Sequence, residues 1–162
     1  MLYIVFALVI ILGDQLLKWH IMNTLALGET APLIPGVIQL TYFQNTGVAF
    51  GFLRDHQWIP TVLNPIIILG LILLLVRGVI TAKVQRWAMT AVIAGALGNV
   101  IDRFIHGFVV DMFDFLFVRF AIFNIADIFI TLGGATFIIA YLTDEIQAAR
   151  AKKAEAAGED SP

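Results

Sequence analysis

Residues 98–127 read GNVIDRFIHGFVVDMFDFLFVRFAIFNIAD, and the class of the whole chain turns on them. The stretch is apolar enough to belong to a membrane, yet it carries Asp102, Arg103, Asp111, Asp114, Arg119 and Asp127. A charge placed in or beside hydrocarbon costs roughly 2.5–3.5 kcal/mol on insertion scales. A chain that keeps several of them together recovers that cost through pairing, water or function. Two of these carboxylates, Asp111 and Asp127, are candidates for catalysis.

The composition around the stretch agrees. The chain has 162 residues, 60% hydrophobic and only 14% charged, with a mean hydropathy of +0.91. A water-soluble domain of this size needs a more polar surface. The expected fold is all-α and integral to a membrane, with four transmembrane helices. The formal net charge of −2 argues against a nucleic-acid partner, which calls for a basic face. Without cysteine there is no disulfide and no thiolate nucleophile. His20, His56 and His106 are far apart and show no ligand spacing, so neither a metal site nor a cofactor is expected.

Outward from the central stretch, the spans are expected at about residues 2–22, 58–76, 87–103 and 121–142. About 20 residues at about 1.5 Å each cross the roughly 30 Å hydrocarbon core. The first segment has no basic n-region and no small-residue cleavage site, and reads as a retained helix. Within it Asp14 and Lys18 stand at i and i+4 on one face. They form either a self-neutralising pair near the membrane surface or an interior brace for a site. From Gly28 to Gln57 the pattern changes. Gly28, Pro32, Pro35 and Gly36 break helix, and residues 37–43 (VIQLTYF) read as a strand. Asn45-Thr46-Gly47 signals a turn, with residues 48–53 as a possible returning strand. This predicts a small extracytoplasmic β-cradle between the first two helices. Pro60 and Pro65 fall early in the second span, where proline is tolerated best. Gly95 and Gly98 permit close helix approach in the third, as do Gly133 and Gly134 in the fourth.

Six of the ten Lys/Arg lie in the 77–86 connection or after residue 149. Excess basic residues mark the cytoplasmic side, so both termini and that connection are expected there. The 28–57 and 102–119 regions then face outward, near the outer leaflet. Residues 1–145 make one membrane domain and 146–162 a polar cytoplasmic tail.

Two carboxylates sharing a proton can activate water without a metal. Like charges a few Å apart cannot both ionise easily, so one partner takes a proton from water while the other polarises a carbonyl. Blander readings stand beside this one. Asp102-Arg103 can be a structural ion pair, Asp114 can face water, and Asn45 can serve turn chemistry alone. Asp127 can cap or complement a helix N-terminus.

Across positions 2–145 the chain resembles the lipoprotein signal peptidase (signal peptidase II) family. The matching stretches are Asp14-Gln15-x-x-Lys18, Asn45-Thr46-Gly47-Val48-Ala49-Phe50, Gly98-Asn99-x-x-Asp102-Arg103, Val109-Val110-Asp111 and Phe123-Asn124-x-Ala126-Asp127. The resemblance implies an aspartyl endopeptidase of the bacterial cytoplasmic (inner) membrane with Asp111 and Asp127 as its dyad. It implies prolipoprotein substrates carrying a diacylglyceryl group on cysteine, cut just before that cysteine, and inhibition by a globomycin-type lipopeptide. It casts Asp14, Lys18, Asn45, Gly47, Asn99, Asp102, Arg103, Asn124 and Ala126 as substrate-binding or supporting residues. Membrane lipids are the other expected contact, and the protein is expected to act as a monomer. The phenylalanine-rich spacer from Asp111 to Asp127 reads as a shortened outer loop. Two other classes use intramembrane acids: a small transporter, and a non-catalytic assembly factor. The acids cluster at one face and no inverted repeat is visible, which disfavours the transporter. An assembly factor would tolerate Asp111→Asn and Asp127→Asn.

Overall fold

The structure, a computed structural model, describes residues 1–47 and 58–159. The possible strand over 48–53 lies outside the described residues. Four helices run in order: α1 (Leu2–Thr24), α2 (Trp58–Val76), α3 (Lys83–His106) and α4 (Ile125–Glu159). Each contains a segment long and apolar enough to cross a membrane.

Burial is inverted relative to a soluble bundle. On α1 the buried stripe is Ile10, Asp14, Lys18 and Ile21, while Leu8, Val9, Leu12 and Leu16 are exposed. Hydrocarbon solvates the leucines, so the interior is left to the groups that need partners. The spacing of the stripe is that of one helix face. α3 is the hub: it packs on α4, α1 and α2. Gly95 and Gly98 permit the close approaches: a Cβ at Gly95 would collide with Ala126 O, and one at Gly98 would stand 2.6 Å from Asp14 Oδ2 and 3.4 Å from the Ala126 methyl.

Three strands cover one end of the bundle: β1 (Thr30–Ile34), β2 (Ile38–Asn45) and β3 (Val109–Phe115). They form an antiparallel sheet in the order β1-β2-β3. This corrects the expected cradle in one respect. The sheet is not confined to the α1–α2 connection, because its third strand comes from between α3 and α4. A hairpin turn at Pro35-Gly36 joins β1 and β2; the strand expected to return after Asn45–Gly47 lies outside the described residues. Gly107 makes β3 possible. It ends α3 in the left-handed region at φ 79°, its N–H bonding to Arg103 O, a conformation that favours glycine. The chain therefore turns at once from helix into strand.

Alternation along β3 gives its two faces different work. Val110 and Met112 pack with Tyr42 against Ile21 of α1. Val109, Asp111 and Phe115 point to the other side, into a cavity. Asp114, which could have faced water, instead accepts from Gln39 at 2.8 Å on the neighbouring strand. The expected outer loop is a compact return, with Phe113 bridged to Phe123.

The expected span boundaries shift at two places. α3 begins at Lys83 and runs to His106, longer than 87–103 because the basic connection before it is itself partly helical. The fourth span begins at Ile125 and not near 121, because Asn124 caps it. Pro65 lies inside α2, early in the span as expected. At the end remote from the sheet, Arg86 stacks on the Tyr3 ring at 5.2 Å and Gln85 donates to Asp144 at 2.8 Å.

Candidate functional site

The site is built from the inside outward, starting at Lys18. Its ammonium is 1% exposed and reaches Asp14 Oδ2 at 2.8 Å, Asp102 Oδ2 at 2.9 Å and Asn99 Oδ1 at 3.1 Å. All three of its protons are used. The two carboxylates take further donors. Asp14 Oδ1 accepts from Ala126 N–H at 2.9 Å, Asp102 Oδ2 from Val110 N–H at 2.9 Å, and Asp102 Oδ1 from the Gln15 amide at 2.8 Å. A buried ion cluster is tolerated only when satisfied in this way. The interior brace is therefore the arrangement adopted by Asp14 and Lys18, and the surface pair is not. The expected Asp102–Arg103 pairing gives way as well. Neighbours in a helix do not face each other: Asp102 turns to Lys18, while Arg103 donates to Gly47 O at 3.0 Å and Asn99 O at 3.3 Å.

Asn99 carries the network from this cluster to the candidate dyad, its Nδ2 donating to Asp127 Oδ1 at 2.8 Å. Asp127 owes its position to a capping box at the start of α4. The Asn124 side chain accepts from Asp127 N–H at 2.9 Å, and Asp127 Oδ2 accepts from Asn124 N–H at 3.3 Å. Asn124 also faces the other acid, its Nδ2 donating to Asp111 Oδ1 at 2.7 Å. The remaining oxygen, Asp111 Oδ2, accepts from Asn45 Nδ2 at 2.8 Å. Asn45 is held in turn by an Asx bond from Gly47 N–H at 3.0 Å. An irregularity in the β2–β3 register sets Phe43 opposite Asp111, so Asn45 reaches Asp111 as a diagonal neighbour.

Asp111 and Asp127 thus border one cavity of about 720 Å³, together with Asn45, Asn99 and Arg103. Burial, then the charge of Asp127 beside it, pushes Asp111 up to about 7, against the opposing bonds from Asn45 and Asn124. A carboxyl balanced between its two protonation states near neutral pH, in a largely apolar cavity beside a second carboxylate, is suited to general acid–base work. Among the described residues no cluster of His, Asp and Glu has the geometry of a metal site.

All the expected residues fall in this network. Asp14, Lys18 and Asp102 lie behind it, Asn99, Asn124 and Asn45 link or hold the acids, and Arg103, Gly47 and Ala126 fix backbone positions. Gln15 and Asn64 were missed. Gln15 sits one position from Asp14 and bonds Asp102 and Gly98 O. Asn64, on α2, lines the cavity. A lone amide within an apolar span is the signal that could have identified it.

The family model described as Signal peptidase (SPase) II matches residues 6–143. A lipoprotein signal peptidase of Streptococcus pneumoniae is 42% identical over 142 residues, covering 88% of this chain and 93% of the relative. One from Lactococcus lactis is 40% identical over 148 residues, covering 90% and 96%. A bacterial membrane enzyme solved by the in meso method at 2.3 Å resolution is similar at a TM-score of 0.83 and 33% identity, with 88% of each chain covered. The chain, with its four apolar helices and its carboxylate-lined cavity, belongs to the signal peptidase II family.

Proposed function

We propose that the chain is a lipoprotein signal peptidase working as an aspartyl endopeptidase. It removes the signal peptide from diacylglyceryl-modified prolipoproteins, cutting before the lipidated cysteine. The observation that carries this reading is the pair Asp111 and Asp127, bordering one cavity with all four carboxylate oxygens held by N–H donors. A water between the two acids loses a proton to the ionised carboxylate as it attacks the scissile carbonyl, which the protonated partner polarises. The proton then passes to the leaving amine, and the shared proton is restored. The titration belongs to the pair.

In this reading Asn45, Asn99 and Asn124 orient the acids. Arg103 and Gly47 shape the wall beside them, and Asp14, Lys18, Asp102 and Ala126 brace the frame. Residues 1–145 form the protease domain and 146–162 a polar tail. The distribution of Lys and Arg supports cytoplasmic termini and a site near the outer leaflet of a bacterial cytoplasmic membrane. The protein acts as a monomer, and a globomycin-type lipopeptide occupies the same cavity.

Purified protein in detergent is expected to release the signal peptide from a diacylglyceryl-modified prolipoprotein. A folded wild type that leaves a competent substrate uncut refutes the reading. The pH profile carries a second expectation. Asp111 holds its proton well below pH 7 and loses it as the pH rises through about 7, so kcat/KM should fall on the alkaline side with a midpoint near there. Asn45 favours the ionised form of Asp111. Asn45→Ala should therefore move this alkaline limb to higher pH, and a limb that stays in place would exclude Asp111 as its source.

A further inference from the structure

One polar group on the cavity wall has no part in the network described above. Asn64 lies on α2, half-buried, and lines the cavity together with Ile128, Thr131 and Leu132 of α4. It has no hydrogen-bond partner among the described residues. Helix propensity does not explain it, because asparagine is a poor residue for a helix interior. An unpaired amide in an otherwise apolar span is costly, and such residues face cavities and substrates.

Its depth narrows the ligand. Asn64 is six residues into α2 from Trp58, about 9 Å along the axis at about 1.5 Å per residue. Thr131 and Leu132 lie at a similar depth in α4, whereas Asp127 is in the first turn of that helix. Among the described lining residues, those of α4 deeper than Asp127, namely Ile128, Ile130, Thr131 and Leu132, carry no charge, so a neutral acceptor suits Asn64 better than an ion.

We propose that Asn64 donates a hydrogen bond to a carbonyl oxygen of the bound substrate, about one helical turn inward from the candidate dyad. This rests on the peptidase reading above. A carbonyl at that depth has two sources. One is the signal-peptide backbone two or three residues before the cut, at roughly 3.3 Å per extended residue. The other is an ester of the diacylglyceryl group.

The test compares wild type with Asn64→Leu in detergent, on a diacylglyceryl-modified prolipoprotein and on the same substrate carrying an ether-linked lipid that lacks ester carbonyls. Loss of one such bond should raise KM roughly fivefold to twentyfold with kcat within a factor of two. Thermal stability of the free protein should be unchanged or raised, since the leucine suits an apolar wall. A KM effect on both substrates assigns the bond to the peptide backbone, and an effect confined to the ester substrate assigns it to the lipid. An unchanged KM on both substrates, a loss in kcat alone, or a fall in thermal stability that accompanies the defect overturns the proposal while leaving the peptidase reading intact. A wild type that cuts neither substrate removes both.

Discussion

Asp111→Asn and Asp127→Asn should each lower kcat by about 10²- to 10⁴-fold, the range expected when a positioned acid–base group is lost, while the protein stays folded. The substitution keeps the size of the side chain and removes the ability to share a proton. At position 127 it also sets an amide NH₂ against one of two existing donors, Asn99 Nδ2 or Asn124 N–H. That weakens the cap of α4 by about 1 kcal/mol. At position 111 the same conflict arises with Asn45 and Asn124, offset by relief of the like charge across the cavity. Thermal unfolding in detergent should therefore change little, and signal-peptide release measured beside it should collapse. Near-wild-type cleavage by either folded variant would eliminate the dyad as the source of the activity.

Lys18→Met is expected to act on the fold instead. It leaves Asp14 and Asp102, each 1% exposed, facing one another without their common cation. Removing one partner of a buried ion cluster costs about 3–5 kcal/mol, which would be read as a large fall in thermal stability. Lys18→Arg should not restore the wild type, because a planar guanidinium cannot direct three donors to Asp14, Asp102 and Asn99 as the ammonium does. The double variant Lys18→Met/Asp102→Asn should recover part of the loss by deleting one stranded charge. A single variant as stable as wild type would show that the cluster does not hold the bundle together.

Much of this was legible in the chain, for physical reasons. Apolar runs of bilayer length mark spans whatever their partners, and charges inside such runs are too costly to be incidental, so Asp111 and Asp127 stood out. The i,i+4 spacing of Asp14 and Lys18 was visible too, although their third member, Asp102, comes from another helix and no local pattern announces it. The pairing of Asp102 with Arg103 was an avoidable error, since consecutive helical residues point about 100° apart. β3 was hidden for a different reason. The run VVDMFDF is short, lies between two spans and finds its partner strand far back in the chain, so alternation alone could not separate it from a loop. Capping and catalysis are not competing roles for Asp127. The capping box holds that carboxylate at the cavity wall, so the two are compatible.

The bond from Ala126 N–H to Asp14 Oδ1 has a consequence for biosynthesis. The first turn of the last helix is seated on a carboxylate of the first, and Asp127 is fixed only once that turn has docked. α4 follows α1, α2, α3 and β3 in the chain, so a nascent chain with only the first three helices inserted holds Asp111 without its counterpart. Under the proposed dyad, competence therefore arrives only once α4 has docked, and a half-inserted copy is inert towards its membrane neighbours.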